Sequence, residues 1–351
     1  MNPSICVHLC SRNIKFRSNL MNREFLSVAL TVEHAPYHRP LVGTGSFQYE
    51  WVEDWATIPA TPAGRSDGRT HGVACSERGY VIVFHQANPA VLIFDAEGRL
   101  VDCWGDRFPG AHGLTLVKEG GTEFLWLADS STGEVVKTTL EGETVMSLER
   151  PDLPNYRGGA NYKPTWVAVH EEAHGGNGDI WVTDGYGANH IHWYNRKGQY
   201  IGSINGEEGA AGAFKCPHGI SIDYRGGEGE LYIADRGNHR VQVYDMAGNF
   251  RRSFGEDSLT SPCAFVTSGD LLIVPELRAR VAVLDDDDHV VGYLGENEAI
   301  CNIAGWPNHP AQLIQSGRFN SPHGIASDAQ GNLYVVEWII GGRITKLARC
   351  G

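Results

Sequence analysis

The chain of 351 residues lacks any apolar run approaching the roughly 18 residues of a membrane-spanning helix; the best stretch, residues 25–32, is about half that length. It also lacks a basic cluster longer than a dipeptide, and 42 acidic residues against 29 basic ones give a formal net charge of −13. Phosphate backbones and anionic membranes both demand concentrated positive charge, so neither nucleic acid nor a membrane is expected as a partner. The first twenty residues hold Cys6, Cys10 and scattered basic residues without an apolar core or cleavage site, and so do not read as a secretory signal. Met21 opens a second plausible start, which makes residues 1–20 either an upstream extension or a disordered tail. No CxxC occurs among the eight cysteines, at 6, 10, 75, 103, 216, 263, 301 and 350. That scatter fits reduced thiols in the cytoplasm better than a disulfide framework.

What is abundant is glycine, 43 residues, and it alternates with short apolar strands rather than low-complexity sequence. The stretches beginning at His218 and His323 are two copies of one unit. A Pro-His-Gly corner opens an alternating strand (Ile220, Ile222), and a Gly turn leads to Leu231-Tyr232-Ile233-Ala234-Asp235. Val241-Gln242-Val243-Tyr244 follows, then an Asp-x-x-Gly turn and a last strand closing on Phe254-Gly255. Period-2 pieces of about five residues between Gly, Asn and Asp turns make an antiparallel meander. Six copies fit the chain, opening at His71-Gly72, His112-Gly113, Pro164-Thr165, Pro217-His218, Pro262-Cys263 and Pro322-His323, at about 50-residue spacing. The sixth stops after three strands, and residues 48–51 are the source of its missing outer strand. The predicted fold is therefore all-β, a single six-bladed β-propeller over residues 46–351 closed by one composite blade, behind a partly disordered extension of residues 1–45. An open stack or sandwich does not account for six evenly spaced copies.

The corner positions hold His71, His112, Thr165, His218, Cys263 and His323, and His112, His218 and His323 are 106 and 105 residues apart, two blades each. Corners beginning the innermost strands of alternate blades bring three imidazoles to the axis, the ligand set of a catalytic zinc or another imidazole-binding divalent metal. A corner histidine also serves as a hydrogen-bonded structural residue without metal, and His71, which breaks the alternation, fits a structural or supporting place. The loops after the second strands open on the same face. Tyr186 there can accept a proton, and Arg236 can clamp an anionic group, against the simpler roles of stacking and ion pairing. The acid that recurs in these loops (Asp129, Asp184, Asp235, Glu337) is expected to bond backbone amides.

Gly212 through Tyr244, and again Gly317 through Leu347, follow the NHL-repeat pattern GxFxxPHGIxxDxxGxLYxADxxNHRVQVY. With Pro164-Thr165, Val167-Ala168-Val169, Asp184-Gly185-Tyr186, Cys216-Pro217-His218 and Ala234-Asp235-Arg236, most of residues 70–350 resembles the peptidyl-α-hydroxyglycine α-amidating lyases. The resemblance implies zinc on His112, His218 and His323, with Tyr186 and Arg236 in the active site. It also implies cleavage of the C–N bond of a carbinolamide, a peptide ending in α-hydroxyglycine, to an amide and glyoxylate. Three positions depart from that pattern. Gln86 stands where the family has a second arginine, which weakens carboxylate recognition and leaves Gln86 and His71 as candidate substrate contacts. Gly324 stands where an aspartate binds calcium, so the carbonyls of Val73 and Leu114 are a calcium set one carboxylate short. Gly187 replaces a disulfide cysteine. The expectation is a metal-dependent lyase on a small-molecule substrate. The competing expectations are a metal-dependent lactone or ester hydrolase on the same site, or an NHL interaction module presenting the insertion 296–316 with an exposed Trp306.

Overall fold

The apolar segments of the sequence become strands, and their spacing becomes a ring of six sheets, in a computed structural model that describes residues 39–59, 68–159 and 161–351. Two short strands come first, β1 (Leu41–Val42) and β2 (Tyr49–Val52). Blade one is β3 (Thr70–Cys75), β4 (Val81–His85), β5 (Val91–Phe94) and β6 (Leu100–Trp104). Blade two is β7 (Ala111–Glu119), β8 (Thr122–Asp129), β9 (Val135–Thr138) and β10 (Thr144–Leu148), and blade three is β11 (Trp166–Val169), β12 (Ile180–Asp184), β13 (His190–Tyr194) and β14 (Tyr200–Ile204). Blade four is β15 (Pro217–Asp223), β16 (Glu230–Asp235), β17 (Arg240–Asp245) and β18 (Phe250–Phe254). Blade five is β19 (Val266–Ser268), β20 (Leu271–Glu276), β21 (Arg280–Leu284) and β22 (Val290–Leu294). Blade six has only β23 (Pro322–Ser327), β24 (Leu333–Glu337) and β25 (Arg343–Arg349) of its own.

The ring closes as the repeat predicted, with β2 completing blade six antiparallel to β25 in the register Tyr49 to Arg349 and Trp51 to Leu347. Closure reaches one strand further than residues 48–51, because β1 pairs with β2 (Leu41 opposite Glu50) and gives this sheet five strands. β1 thus falls inside the extension expected over residues 1–45. The tail expected over residues 1–20 lies outside the described residues.

The second and third strands are buried on both faces because each sheet is sandwiched between two neighbours, which is why Val-Ile-Val-Phe or Leu-Trp-Leu-Ala runs replace strict alternation there. The core accordingly divides into six apolar clusters, each between two adjacent blades. Trp181, Ile233 and Tyr244 join blades three and four, and Val83, Tyr334 and Val336 join blades one and six.

Two expectations need correction. Blade five does not start its inner strand at Pro262-Cys263-Ala264: β19 begins at Val266, and Pro262 makes only an isolated bridge to Glu276. No glycine follows Cys263, so the corner lacks the tight step found in the histidine blades. Trp306 is not an exposed feature of the 296–316 insertion; it is half-buried, and its indole N–H donates to the Asn320 carbonyl at 2.9 Å. Cys75, Cys216, Cys263, Cys301 and Cys350 are free thiols, and no helix among the described residues is long and apolar enough to cross a membrane.

Candidate metal centre

Antiparallel register puts the corners and the loops after the second strands at one end of the blades. Pro217 lies opposite Asp235, Ala111 opposite Asp129 and Pro322 opposite Glu337. In each of these pairs the register slips at the histidine, between Ala111 and Gly113, Pro217 and Ile220, and Pro322 and Gly324. The same slip occurs between Thr70 and Gly72. An extra residue in one strand leaves the ladder and turns its side chain out of the pleat. That local irregularity aims His71, His112, His218 and His323 at the axis, where each is at most 2% exposed.

The carbonyl of the next blade's corner then fixes each ring. His112 Nδ1–H donates to Thr165 O at 2.7 Å, His218 Nδ1–H to Cys263 O at 2.8 Å and His323 Nδ1–H to His71 O at 3.0 Å. A carbonyl only accepts, so the proton is on Nδ1 and the Nε2 lone pair faces the axis. The glycine after each histidine makes this contact possible. A Cβ on Gly113 would lie 2.4 Å from Thr165 O, on Gly219 2.2 Å from Cys263 O, and on Gly324 2.3 Å from His71 O. Burial holds all four imidazoles neutral, His112 down to about 3 and the others well below the ordinary histidine value.

Ring centroids of His112 and His323 are 4.8 Å apart; His218 lies 4.7 and 4.6 Å from these two, and His71 lies 4.7 and 4.5 Å from them. The ligand-capable atoms of His71, His112 and His323 all fall within 4.8 Å of one another. His323 Nε2 is buried without a hydrogen-bond partner among the described residues, a state that costs about 1–3 kcal/mol and that a cation relieves. Backbone-anchored Nδ1–H groups behind converging Nε2 lone pairs are how proteins orient metal-binding histidines, so these residues fit a divalent transition metal.

Tyr186, at the end of the Asp184 loop, stands over this cluster. Its hydroxyl is 3.1 Å from both His112 Nε2 and His218 Nε2, and Arg236 Nη2 donates to it at 3.2 Å. The Arg236 guanidinium also lies 5.3 Å over the Tyr186 ring and donates to Cys216 Sγ at 3.1 Å. Burial of the hydroxyl raises the Tyr186 pKa, opposed by the charge of Arg236. The residue as a whole remains 38% exposed, so the loop face is open to a ligand.

The other sequence candidates fall nearby. Gln86 is half-buried beside His71: its N–H donates to the Arg69 carbonyl at 2.9 Å, the same carbonyl that His71 Nδ1 approaches at 3.3 Å. Val73 and Leu114 lie along β3 and β7 and line an axial cavity of about 260 Å³ with Trp166, Ile220 and Ile325, while Gly324 leaves no room for a calcium carboxylate. The recurring acids bond backbone amides. Asp129 accepts from Gly110, Ser131 and Thr132, Asp235 from Lys215, and Glu337 from Asn320 and Ser321. Asp184 accepts from Lys163 and Ala188. What spacing alone missed is His71 inside the cluster, although its His-Gly pair was the available signal. It also missed Tyr156, whose hydroxyl donates to Asp184 at 2.6 Å and meets His192 Nε2 at 2.7 Å.

The NHL-repeat family model matches residues 214–244. A probable peptidyl-α-hydroxyglycine α-amidating lyase of Caenorhabditis elegans is 26% identical over 262 residues, covering 66% of this chain and 69% of that one. The human NHL repeat-containing protein 3 is 27% identical over 228 residues, covering 61% and 63%. Virginiamycin B lyase from Staphylococcus aureus superposes with a TM-score of 0.52 at 13% identity, covering 83% of this chain and 97% of that one, a likeness of fold alone. The chain is thus a six-bladed propeller carrying an NHL repeat, and over about two thirds of its length it resembles the peptidyl-α-hydroxyglycine α-amidating lyases.

Proposed function

We propose that the protein is a metal-dependent lyase that cleaves the C–N bond of a carbinolamide, a small substrate ending in an α-hydroxyglycine-like group. The observation that carries this is the shared orientation of His112, His218 and His323, each Nδ1–H on a neighbouring blade's carbonyl, beneath Tyr186 and Arg236. These three imidazoles would hold zinc or another divalent transition metal, which when bound would supply Lewis acidity toward a substrate hydroxyl.

The chain's own groups do the rest. The Tyr186 hydroxyl can give its one proton to His112 or to His218; with both lone pairs engaged elsewhere it would keep only the Arg236 donor, which favours the phenolate. The phenolate takes the substrate's hydroxyl proton, the oxygen's electron pair forms the aldehyde C=O, and the C–N pair leaves on nitrogen. The proton held on Tyr186 is the one the departing amide nitrogen requires, so the step balances with no further reagent. Arg236 also offers a fixed cation for an anionic substrate group in a molecule of net charge −13. The half-buried Trp306, its indole N–H on the Asn320 carbonyl, weakens the main sequence feature of an interaction module. The free thiols of Cys75, Cys216, Cys263, Cys301 and Cys350 favour a reducing compartment, the cytoplasm.

Metal analysis, together with glyoxylate release from α-hydroxyhippurate and hydrolysis of simple lactones, tests this reading. The expected result is about one divalent ion per chain and glyoxylate release. Tyr186→Phe should lose roughly 10²–10⁴-fold in kcat while keeping its ion. Lactone hydrolysis without glyoxylate would make the protein a hydrolase on the same site.

A further inference from the structure

Alternate-blade spacing accounts for three imidazoles at the axis, but the axis holds four. His71 sits at the corner of blade one, between the histidine corners of blades six and two, in the same kind of register slip and equally buried. Its ring is 4.7 Å from His112 and 4.5 Å from His323, as close as that of His218. His71 and His218 therefore both border the His112–His323 pair. The Tyr186 hydroxyl bonds His112 and His218, whereas His323 Nε2, in the group with His71, has no partner among the described residues.

The proton positions point the same way. His71 Nδ1 faces the Arg69 carbonyl, so its free nitrogen, like the other three, is a lone pair. Four imidazole acceptors face the axis, those of His71, His112 and His323 lie within 4.8 Å of one another, and the hydroxyl over His112 and His218 carries a single proton. A structural histidine in an apolar corner would use its second nitrogen on a donor; here a cation is the group that His71 can share with His112 and His323.

We propose that His71 is a fourth nitrogen ligand, so that the axial ion is held by four imidazoles and not three. This rests on the metal reading above and changes its coordination chemistry. Three imidazoles leave a tetrahedral ion one open position, whereas four fill it, and an exogenous ligand must then enter by expanding the shell.

X-ray absorption of the zinc-loaded full chain, counting imidazoles by their multiple scattering, tests it alongside chelator competition. The expected result is four imidazoles in the wild type, three in His71→Ala, and an affinity for zinc at least ~10-fold weaker in the variant. His71→Gln, of similar reach, guards against a variant that does not fold, with the thermal transition by circular dichroism as the check. Three imidazoles in the wild type, with count and affinity unchanged by either substitution, would overturn the role of His71 and leave the three-histidine metal intact. Absence of any bound ion would overturn both.

Discussion

A histidine followed by glycine carries two instructions in this chain, one for the ring and one for the backbone that holds it. At His112, His218 and His323 the ring needs a neighbouring carbonyl on Nδ1, and that carbonyl approaches so closely that only hydrogen fits on the next residue. Gly219→Ala should therefore push Cys263 O away from its place and tilt His218. The expected cost is about 1–3 kcal/mol in urea unfolding, with weaker zinc binding. Gly202→Ala, where a Cβ meets nothing within 4 Å, should bind zinc as the wild type does. The histidine trio was legible because its spacing is regular. His71 was set apart because alternation is a statement about angle around the ring, whereas near the axis the distances between adjacent corners also shrink to about 4.5 Å. Another histidine, His85, gives a pH signature of its own. It is 1% exposed at the end of β4, and burial lowers its pKa to about 4. The unfolded chain, with a value near 6.5, binds the proton more readily. Stability should therefore be full above about pH 6.5 and fall as pH drops toward 4, by about 3 kcal/mol at most from this group. Urea midpoints across that range should be flatter in His85→Phe.

At the scale of strands and turns, the carboxylate that ends the second strand of blades two to six is the device that ties loop to corner. In blades four, five and six an arginine from the third strand completes it, Arg240 with Asp235, Arg280 with Glu276 and Arg343 with Glu337. Blade three has His190 at that position, and Asp184 relies instead on Tyr156, with His192 and Ser203 beyond it at 2.7 Å each. Burial accordingly raises the Asp184 pKa. This is the blade whose loop carries Tyr186, so Tyr156→Phe should act on catalysis as well as on folding. The expected outcome is a loss of about 1–3 kcal/mol, from one hydrogen bond removed from Asp184 Oδ2 and a buried His192 Nε2 left without its partner, and a fall in kcat with bound metal retained. Loss of metal along with activity would instead mean that the change had spread to the histidines. The acids were legible as amide binders because they recur. Tyr156 was not, because it comes from the irregular segment before blade three and meets Asp184 only in three dimensions. The inner strand of blade five was misjudged for a related reason: Pro262-Cys263-Ala264 copies the corner's outline but not its glycine.

At the scale of the whole ring, the sequence was legible because each blade repeats one pattern and the sixth is visibly one strand short. The chain closes at the rim, where β2 joins β25 and Trp51, 1% exposed, packs 4.7 Å from Phe319. The proposed metal would close it a second time at the axis, tying corners of blades one, two, four and six that are remote in sequence. Two fastenings on one ring resist the same opening, so their effects should depend on one another. Trp51→Ala should cost about 3–5 kcal/mol through the cavity it leaves. Removing a metal present at 100 times its dissociation constant should cost about 2.7 kcal/mol. With either fastening intact, blades one and six stay registered; with both gone, the interface of Val83, Tyr334 and Val336 is left to hold the ring alone. The metal-free Trp51→Ala protein should therefore lose more stability than the two separate losses together. Denaturant unfolding of the four samples measures this directly. Strict additivity would mean that axis and rim are held independently and that the metal's place is chemical only.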